Sequence, residues 1–420
     1  MTFRHLLAYG NSDQASFRNG EVRRSFDLMT VPGTIASYYN DATAAFVLTS
    51  QIPYLIDPRT PLFQGQLEDP RASHFTLAEW HGSTVRAALS PGETTEFGTA
   101  FWTQETVVEM VNEVVSRQRN YAVSAPTVKP KLSRYARLLA EALAEQGEAP
   151  PTTDEKPPAV VLAPYFAVSG THDPWWDVLQ MVWKACGSLP DPRRILPVLC
   201  VDGRPKASAD GVATLGALLP LIPNSLSDAC FYWITNFDER KVPEKDLRRL
   251  WKVIQDRPEG RRLVNMYGGF FSICLRYAGL RGFGNGLTYS ESRDWPALAS
   301  TGAAPPRYYI RELHLFLPPA LAAILVDSDA SFECPCEACV DWRSDGSTIA
   351  SLPYHSMKRH FALARKWELD ETARKPDVDI AADLRDARAR AAELSGNIAL
   401  AALPSTDYLD RWAAVLEDHS

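Results

Sequence analysis

No apolar run in this sequence approaches the roughly 20 residues that a membrane-spanning helix needs. The first residues, Met1 to His5, lack the apolar core of a secretory signal. A Walker phosphate loop, an HExxH motif and a Ser-His-Asp order of triad residues are also missing. With a net charge of −7, the chain has no general excess of positive charge for nucleic acid, which leaves a local basic groove as the remaining way to bind it.

Cysteine is scarce as well, with seven in 420 residues. Four of the seven, Cys186, Cys200, Cys230 and Cys274, stand singly in apolar surroundings, as reduced core cysteines do. The hydrophobic content of 45% and the charged content of 23% are those of an ordinary soluble globular protein. We therefore expect a cytoplasmic protein without a membrane partner.

The other three cysteines lie within six residues, at Cys334, Cys336 and Cys339. A Cys-x-Cys disulfide is strained and leaves one sulfur over, whereas three thiols and an imidazole suit a tetrahedral zinc ion. Two histidines follow, His355 and His360, and either can supply the fourth ligand. The spacing predicts a structural zinc site.

Apolar strand patterns alternate with helical patterns from residue 159 onward. Together with two earlier strands, this alternation predicts an α/β protein built as a (β/α)₈ barrel with parallel strands. The predicted strands are 44–48, 52–56, 160–168, 195–201, 229–235, 263–267, 282–289, 308–313 and 321–326.

Three regions are predicted from this pattern. Residues 1–43 are a polar lead-in rich in turn residues, and residues 44–330 are the barrel. A mostly helical insertion interrupts the barrel at about 75–158, with apolar periodicity at 105–117 and 132–144. Residues 331–420 are a zinc-binding and helical region, with helices at 356–369, 379–395 and 405–416.

In such a barrel the chemistry lies at the carboxyl ends of the strands. The acids predicted there are Asp57, Asp202, Asp238, Glu291 and Asp327. A single acid at this position is more often a helix cap or a turn residue, but several on one rim indicate a site. Two basic runs, at 240–262 and 358–366, are either solvated helix faces or part of a phosphate-binding rim.

The order of these features resembles the tRNA-guanine transglycosylase superfamily, whose members exchange a guanine for a 7-deazaguanine within nucleic acid. The resemblance extends from about residue 44 to 370. Its motifs are Asp57 with Phe63-Gln64, Phe237-Asp238-Glu239, Tyr267-Gly268-Gly269, Asn285-Gly286-Leu287 with Glu291, and the cysteine cluster. The glycines after Asp57 are replaced, which resembles the bacterial branch that puts 7-deazaguanine bases into DNA.

The resemblance implies a covalent glycosyl intermediate on an aspartate, with a second carboxylate for proton transfer. It assigns Asp327 as nucleophile, with Asp329 and Asp202 as alternatives, and Asp57 as general acid/base. Asp238 would accept hydrogen bonds from the guanine N1–H and amino group. The rest of the base pocket would be formed by Tyr267, Gly268, Gly286, Leu287 and Glu291.

The resemblance also favours His355 over His360 as the fourth zinc ligand, and it implies nucleic acid and a free 7-deazaguanine base as partners. DNA is favoured over tRNA as acceptor. Two other functions stay open. One is an inactive relative that binds nucleic acid or a partner protein, and the other is a zinc-stabilised barrel hydrolase or small-molecule glycosyl-transfer enzyme. A homodimer is compatible with each of them.

Overall fold

A curled sheet of eight parallel strands organises the molecule. The computed structural model describes residues 3–121, 157–203, 210–287, 291–299, 305–394 and 400–419, and single positions at 134, 137, 141 and 144. The strands of this part of the chain are β1 (Arg4–Ala8), β2 (Leu28–Pro32), β3 (Tyr54–Asp57), β4 (Gly65–Leu67), β5 (Thr95–Phe97), β6 (Val161–Leu162), β7 (Ala167–Val168), β8 (Ile195–Leu196), β9 (Val198–Val201), β10 (Ala229–Ile234), β11 (Arg262–Asn265), β12 (Gly282–Gly286), β13 (Tyr308–Ile310) and β14 (Leu315–Leu317).

Helices connect the strands and cover the sheet, as expected for parallel strands with apolar side chains on both faces. They are α1 (Gln14–Arg18), α2 (Gly20–Arg24), α3 (Gly33–Tyr38), α4 (Asn40–Ser50), α5 (Ala72–Trp80), α6 (Ser83–Ala88), α7 (Gln104–Arg119), α8 (Pro174–Gly187), α9 (Gly211–Leu218), α10 (Glu244–Gln255), α11 (Phe270–Cys274), α12 (Pro319–Ser328), α13 (Glu337–Ser344), α14 (Tyr354–Thr372), α15 (Asp377–Glu393) and α16 (Tyr408–Glu417). Local sequence sets their ends: α8, for example, begins with Pro174 after Asp173, whose side chain accepts a hydrogen bond from Trp175 N–H.

The strand order is β3-β2-β1-β12-β11-β10-β9-β7, and each neighbouring pair in this sheet is parallel. A second parallel pair, β6 with β8, extends the β7 and β9 pair toward the amino ends of those strands. Beside it, Ala159 N–H donates to Tyr54 O over 2.7 Å, so the chain before β6 lies next to β3. The predicted parallel α/β architecture is confirmed as an eight-stranded, curled sheet.

Alternate glycines in β12 let three strands come together. A Cβ on Gly282 would lie 2.5 Å from Arg4 O of β1, and one on Gly284 would lie 2.7 Å from Met266 O, directly after β11. Because real Cβ atoms do not approach backbone oxygens this closely, the glycine pattern at 282–286 serves strand packing.

The prediction of an irregular lead-in at 1–43 is wrong, because β1 and β2 are strands inside the sheet. The eight-stranded sheet therefore extends along the chain from residue 4 to residue 286. Strand β1 has one buried polar residue, His5, which is 1% exposed. Its Nε2 lies 3.1 Å from Asn285 Oδ1 of the neighbouring β12. Because a histidine occupies a buried position between Arg4 and the leucines, the apolar pattern does not identify β1 as a strand.

Two predicted strands are helices. Residues 44–48 lie in α4, and residues 321–326 lie in α12, which starts at Pro319. A short, unbroken apolar run has no visible period, so pattern alone does not separate helix from strand. The predicted strand at 308–313 does contain β13, but β13 pairs antiparallel with β14 outside the eight-stranded sheet.

The helical insertion is confirmed where the structure describes it. Helices α5, α6 and α7 occupy it up to Arg119, with the short β4–β5 pair among them. The predicted helix at 132–144 falls outside the described residues, apart from single helical positions. Helices α14, α15 and α16 match the three predicted at the end of the chain.

Candidate functional site

The carboxyl edge of the sheet carries four of the five acids that the sequence predicts there. Asp57 is the last residue of β3, and Asp202 directly follows β9. Asp238 follows β10 by four residues, and Glu291 follows β12 by five. Parallel strands bring their carboxyl ends to one edge, which explains why these acids meet.

Asp57 lies in a closed polar cluster. Its side chain is 1% exposed, and its Oδ1 accepts a hydrogen bond from the Tyr165 hydroxyl over 2.7 Å. Arg59 Nε lies 2.7 Å from Oδ2, and Arg59 holds a left-handed backbone with φ 56°. Burial, followed by the charge of Asp57, raises the pKa of Tyr165, so this phenol stays a proton donor. The left-handed arginine is strained, a feature that clusters at functional sites.

Tyr267 and Asp202 lie on the same inward side. Tyr267 is 8% exposed, and its ring centroid is 4.9 Å from that of Trp233. Burial raises the pKa of Tyr267; the charge of Arg59 opposes this rise, and those of Asp57 and Cys200 add to it. Because Cys200 of β9 faces Tyr267 and side chains alternate along a strand, Asp202 points to the same side as Cys200. Thr235 Oγ1 donates to Asp202 Oδ1 over 3.3 Å.

A cavity of about 300 Å³ lies beside Gly203, the residue that follows Asp202. Its lining includes Gly203 and Thr235, which neighbour Asp202, and Asn236, whose φ is 59°. Lys245 and Arg249 of α10 line the opposite part. The volume is at the lower end of the range of about 300–1,000 Å³ for small-molecule sites.

Asp238 is held by two cations. Arg240 Nε lies 3.4 Å from its Oδ1, and Lys241 Nζ lies 3.0 Å from its Oδ2. Burial opposes ionisation, but Arg240 and Lys241 outweigh it and lower the pKa of Asp238. The residue is therefore an ionised hydrogen-bond acceptor, the form that recognition of an N–H edge requires.

Glu239, the residue after Asp238, was not among the predicted site residues. It is 4% exposed, accepts a hydrogen bond from Gly269 N–H over 3.0 Å and another from the Ser272 hydroxyl. Burial raises the pKa of Glu239 to about 7, with the charge of Glu291 acting in the same direction. The Phe237-Asp238-Glu239 motif contained the signal, since a second acid directly follows the first.

Glu239 and Glu291 form a carboxylate pair around Gly269. A Cβ on Gly269 would lie 3.0 Å from Glu239 Oε2 and 3.1 Å from Glu291 Oε2. The two oxygens are therefore no more than about 6 Å apart, close to the spacing of about 5–9.5 Å between the carboxyl groups of glycosidases. Arg240 Nη2 lies 3.6 Å from Glu291 Oε2, and Arg365 Nη2 lies 2.5 Å from Glu291 Oε1.

The remaining predicted base-pocket residues have structural roles. A Cβ on Gly268 would overlap Ser272 Oγ, so the backbone passes this side chain only with glycine. Gly286 ends β12 and pairs with Ala8 of β1. Leu287 is 2% exposed and packs in a core cluster with Leu7, which makes it a core residue rather than an open pocket wall.

Asp327, the predicted nucleophile, is not at the strand ends. It is exposed near the end of α12 and lines a cavity of about 300 Å³ beside Cys334. Asp329 caps the following turn, where its Oδ1 accepts from Ser331 N–H over 2.8 Å. The assignment fails because the apolar run before Asp327 is a helix, so no strand delivers this acid to the rim.

The cysteine cluster forms a group that can hold a metal ion. The ligand atoms of Cys334, Cys336, Cys339 and His360 all lie within 4.8 Å of one another. His360 Nδ1 is 3.4 Å from Cys336 Sγ and 3.1 Å from Cys339 Sγ, near the sulfur–nitrogen spacing of about 3.6 Å in a tetrahedral zinc site. Hydrogen bonds from the other two thiols lower the pKa of Cys339, which favours a thiolate.

The His360 imidazole is held in place by contacts on the side away from the cysteines. Its Nε2 lies 2.7 Å from Tyr309 O, so the N–H on Nε2 leaves Nδ1 free to face the sulfurs. The Tyr308 ring stacks on the imidazole at 4.2 Å and 3°, and its hydroxyl lies 3.1 Å from Cys339 Sγ. His355, the preferred ligand from the sequence, is exposed in the first turn of α14 and is corrected to His360.

The two basic runs are largely ion-paired. Arg257 and Arg261 donate to backbone carbonyls. The carboxylate pairs are Arg240 with Asp238 and Glu291, Lys241 with Asp238, Arg248 with Glu244 and Asp418, Arg249 with Asp210 and Asp246, Lys358 with Asp13, Arg359 with Glu21 and Asp341, Arg365 with Glu291 and Glu368, and Lys366 with Asp370. Lys241, Lys245 and Lys252 remain exposed on the first run. The predicted phosphate-binding rim is therefore narrower than the sequence run.

No protein-family model matches the chain, and the comparison with curated proteins also gives no match. None of the helices in the described part of the chain is long and apolar enough to cross a membrane.

Proposed function

We propose that this chain is a transglycosylase that exchanges guanine for a 7-deazaguanine base in nucleic acid, with DNA favoured over tRNA as acceptor. The observation that carries the proposal is the set of carboxylates at the carboxyl edge of the sheet. Its members are Asp57, Asp202, Asp238, Glu239 and Glu291. Replacement of a base at a sugar carbon needs one carboxylate to hold that carbon and another to move protons.

Asp202 takes the role of nucleophile in this proposal, because it directly follows strand β9 at the carboxyl edge of the sheet, whereas Asp327 lies on helix α12. Its oxygen would form a bond to C1′ as the bond to guanine breaks. Glu239, whose pKa is raised to about 7, would give its proton to the leaving base. Asp57, which is ionised beside Arg59, would take the proton of the incoming base.

In this proposal the base is recognised by the acids that follow β10 and β12. Asp238 is ionised and accepts hydrogen bonds, which suits the N1–H and amino donors of a guanine edge. Glu291 adds a second acceptor five residues beyond β12. The DNA preference rests on the altered loop after Asp57, and the exposed lysines Lys241, Lys245 and Lys252 would contact phosphates.

Two finer structural statements belong to the same proposal. The hydrogen bond between Ala159 N–H and Tyr54 O supports closure of the curled sheet into a (β/α)₈ barrel between β3 and β6. The donor set of three thiols and one imidazole, without a position for water, supports a structural zinc ion. Zinc would supply folding energy to the region around α13 and α14 and no chemistry at the rim.

The test is incorporation of a labelled 7-deazaguanine base into DNA and tRNA, with a denaturing gel for the covalent enzyme–nucleic acid adduct. We expect Asp202→Asn to abolish the adduct. We expect Asp57→Asn to reduce the rate of incorporation by about 10²–10⁴-fold, the usual contribution of a general acid or base to the rate. The matched control is Asp327→Asn, an exposed aspartate at which we expect wild-type activity.

Loss of the adduct in Asp327→Asn together with wild-type adduct in Asp202→Asn would refute the assignment. A second candidate function, an inactive relative that binds nucleic acid, is favoured by one observation: both oxygens of Asp57 are already engaged by Tyr165 and Arg59. Under that alternative the protein binds DNA or tRNA and no labelled base is ever incorporated.

A further inference from the structure

A chain of buried polar contacts joins the cysteine cluster to the carboxylate rim. It begins at His360, whose Nε2–H donates to the Tyr309 carbonyl. The hydroxyl of the same tyrosine donates to Glu368 Oε1 over 2.8 Å. Arg365 Nη1 lies 2.8 Å from Glu368 Oε2, and its Nη2 lies 2.5 Å from Glu291 Oε1. One residue, Arg365, therefore connects the two ends.

Arg365 is fully enclosed, with a side chain that is 0% exposed. Its guanidinium lies 5.1 Å from the Tyr309 ring and 5.2 Å from the Phe361 ring, distances at which a cation is attracted to an aromatic face. A buried arginine is costly unless its charge is compensated. Its two carboxylate partners, Glu368 and Glu291, supply that compensation in fixed directions.

Glu368 holds Arg365 from the side of α14. It is 1% exposed, accepts hydrogen bonds from Tyr309 and from His314 Nδ1 at 2.7 Å, and forms an ion pair with Arg365. These cations and donors outweigh its burial and lower the pKa of Glu368, so it is a permanent anion that anchors the guanidinium. Arg365 in turn is fixed with its second nitrogen aimed at Glu291.

Glu291 depends on this arrangement. Burial raises its pKa, while Arg240 and Arg365 oppose that rise. The other charged groups that face it are Asp238, Glu239 and Glu368, and all three are acidic. Without Arg365, the balance around Glu291 would favour its protonated form, which donates one hydrogen bond instead of only accepting.

We propose that Arg365 is the positioning residue that holds Glu291 ionised and correctly aimed for recognition of a purine N–H edge, and that the cysteine–histidine cluster fixes Arg365 through Tyr309 and Glu368. The purine as ligand rests on the proposed function, whereas the effect of Arg365 on Glu291 does not. Arg365 does not touch the base in this arrangement. Its role is to set the charge and direction of the group that does.

The test has two readouts on the full-length, metal-loaded protein. The first is the titration of Glu291, followed by NMR with glutamate ¹³C-labelled at the side-chain carboxyl and assigned by comparison with Glu291→Gln. The second is the affinity for free guanine by calorimetry. In Arg365→Met we expect the titration midpoint of Glu291 to rise by at least about one pH unit, since one unit is the effect of a modest charge partner. We expect guanine affinity to fall in Arg365→Met, most strongly at pH values around and above the two midpoints, and by up to about tenfold for each unit by which the midpoint rises.

Matched variants separate positioning from general damage. Lys366→Met removes the neighbouring cation, which pairs only with Asp370 among the described ion pairs, and both readouts should stay at wild-type values. Arg365→Lys should recover part of the shift. Tyr309→Phe removes only the hydroxyl contact to Glu368 and keeps the carbonyl for His360, so metal content stays at one per chain while the Glu291 midpoint rises by a smaller amount.

An unchanged Glu291 midpoint in both Arg365→Met and Tyr309→Phe overturns the proposal, whatever the guanine data show. If Arg365→Met does not fold, Tyr309→Phe alone decides, because it retains every charge of the network. A shifted midpoint in a protein that binds no guanine supports the positioning role and refutes the proposed base specificity. The two failures are thereby distinguished.

Discussion

Replacement of His360 tests the metal site most directly. The imidazole is 0% exposed, and its Nε2–H is the donor to the Tyr309 carbonyl. In His360→Ala that buried carbonyl loses its partner, which costs about 1–3 kcal/mol. The lost ring leaves a cavity against the stacked Tyr308, for which truncation of a buried aromatic side chain costs about 3–5 kcal/mol. We expect a total loss of at least about 4 kcal/mol before any effect of the metal.

The metal adds to this loss. With three ligands instead of four the site should release its ion to a mild chelator, and structural zinc contributes folding free energy directly. We expect metal content to fall from about one per chain to near zero, and the melting temperature to fall by roughly 10 °C, since about 1 kcal/mol shifts it by about 2–4 °C in a large domain. Metal analysis after gel filtration and calorimetric unfolding measure both quantities.

Two companion variants sharpen the result. His355→Ala changes an exposed residue of the same helix and should alter stability by no more than about 0.5 kcal/mol, with the metal retained. His360→Cys offers a fourth thiolate, an accepted structural zinc set, and should recover metal binding. A His360→Ala protein that keeps one metal per chain, or a His355→Ala protein that loses it, refutes the ligand assignment.

Two further predictions concern charge. Because the pKa of Glu239 is raised from 4.5 to about 7, the native protein holds a proton between these values that the unfolded chain does not. The free energy of unfolding should therefore fall by about 3 kcal/mol as pH rises from 4.5 to 7. Urea unfolding at several pH values measures this fall, and Glu239→Gln should reduce it. If the pH dependence is the same in Glu239→Gln as in the wild type, the assignment of the raised pKa to Glu239 is wrong. Since most cations of the two basic runs are paired, DNA binding through the three exposed lysines should weaken with salt with a logarithmic slope of about 3 or less by fluorescence anisotropy, and a slope near 8 would show that the paired arginines leave their partners.

The part of the site that local sequence determines was predictable. The spacing of Cys334, Cys336 and Cys339 places three thiols together whatever the fold. Strand ends at Asp57, Asp202 and Asp238 followed from the alternation of strands and helices. The choice of histidine did not, because His355 and His360 are five residues apart on α14 and point about 140° apart around the helix axis. Only the packing of α14 decides which of them faces the cysteines.

The misassigned elements share a physical cause. Helix α4 is buried over most of its length, and α12 contains the unbroken apolar run 321–326 although only Leu321, Ala322 and Leu325 are buried, so neither sequence shows the one-sided pattern of a surface helix. That error moved Asp327 to a strand end where it does not lie. The contact of Arg365 with Glu291 was beyond prediction for another reason: it spans 74 residues, and no local pattern records such a pairing.

The place of β1 in the sheet has a consequence for synthesis. Its first residue, Arg4, pairs with Gly282, so one edge of this strand has no partner until 278 further residues have been made. At a translation rate of roughly 5–20 residues per second, this edge of β1 stays unpaired for on the order of 15–55 s during synthesis. An open strand edge invites pairing with other chains. The nascent protein is therefore expected to depend on chaperones during this interval, and a circular permutant that starts between β11 and β12 should fold with less aggregation.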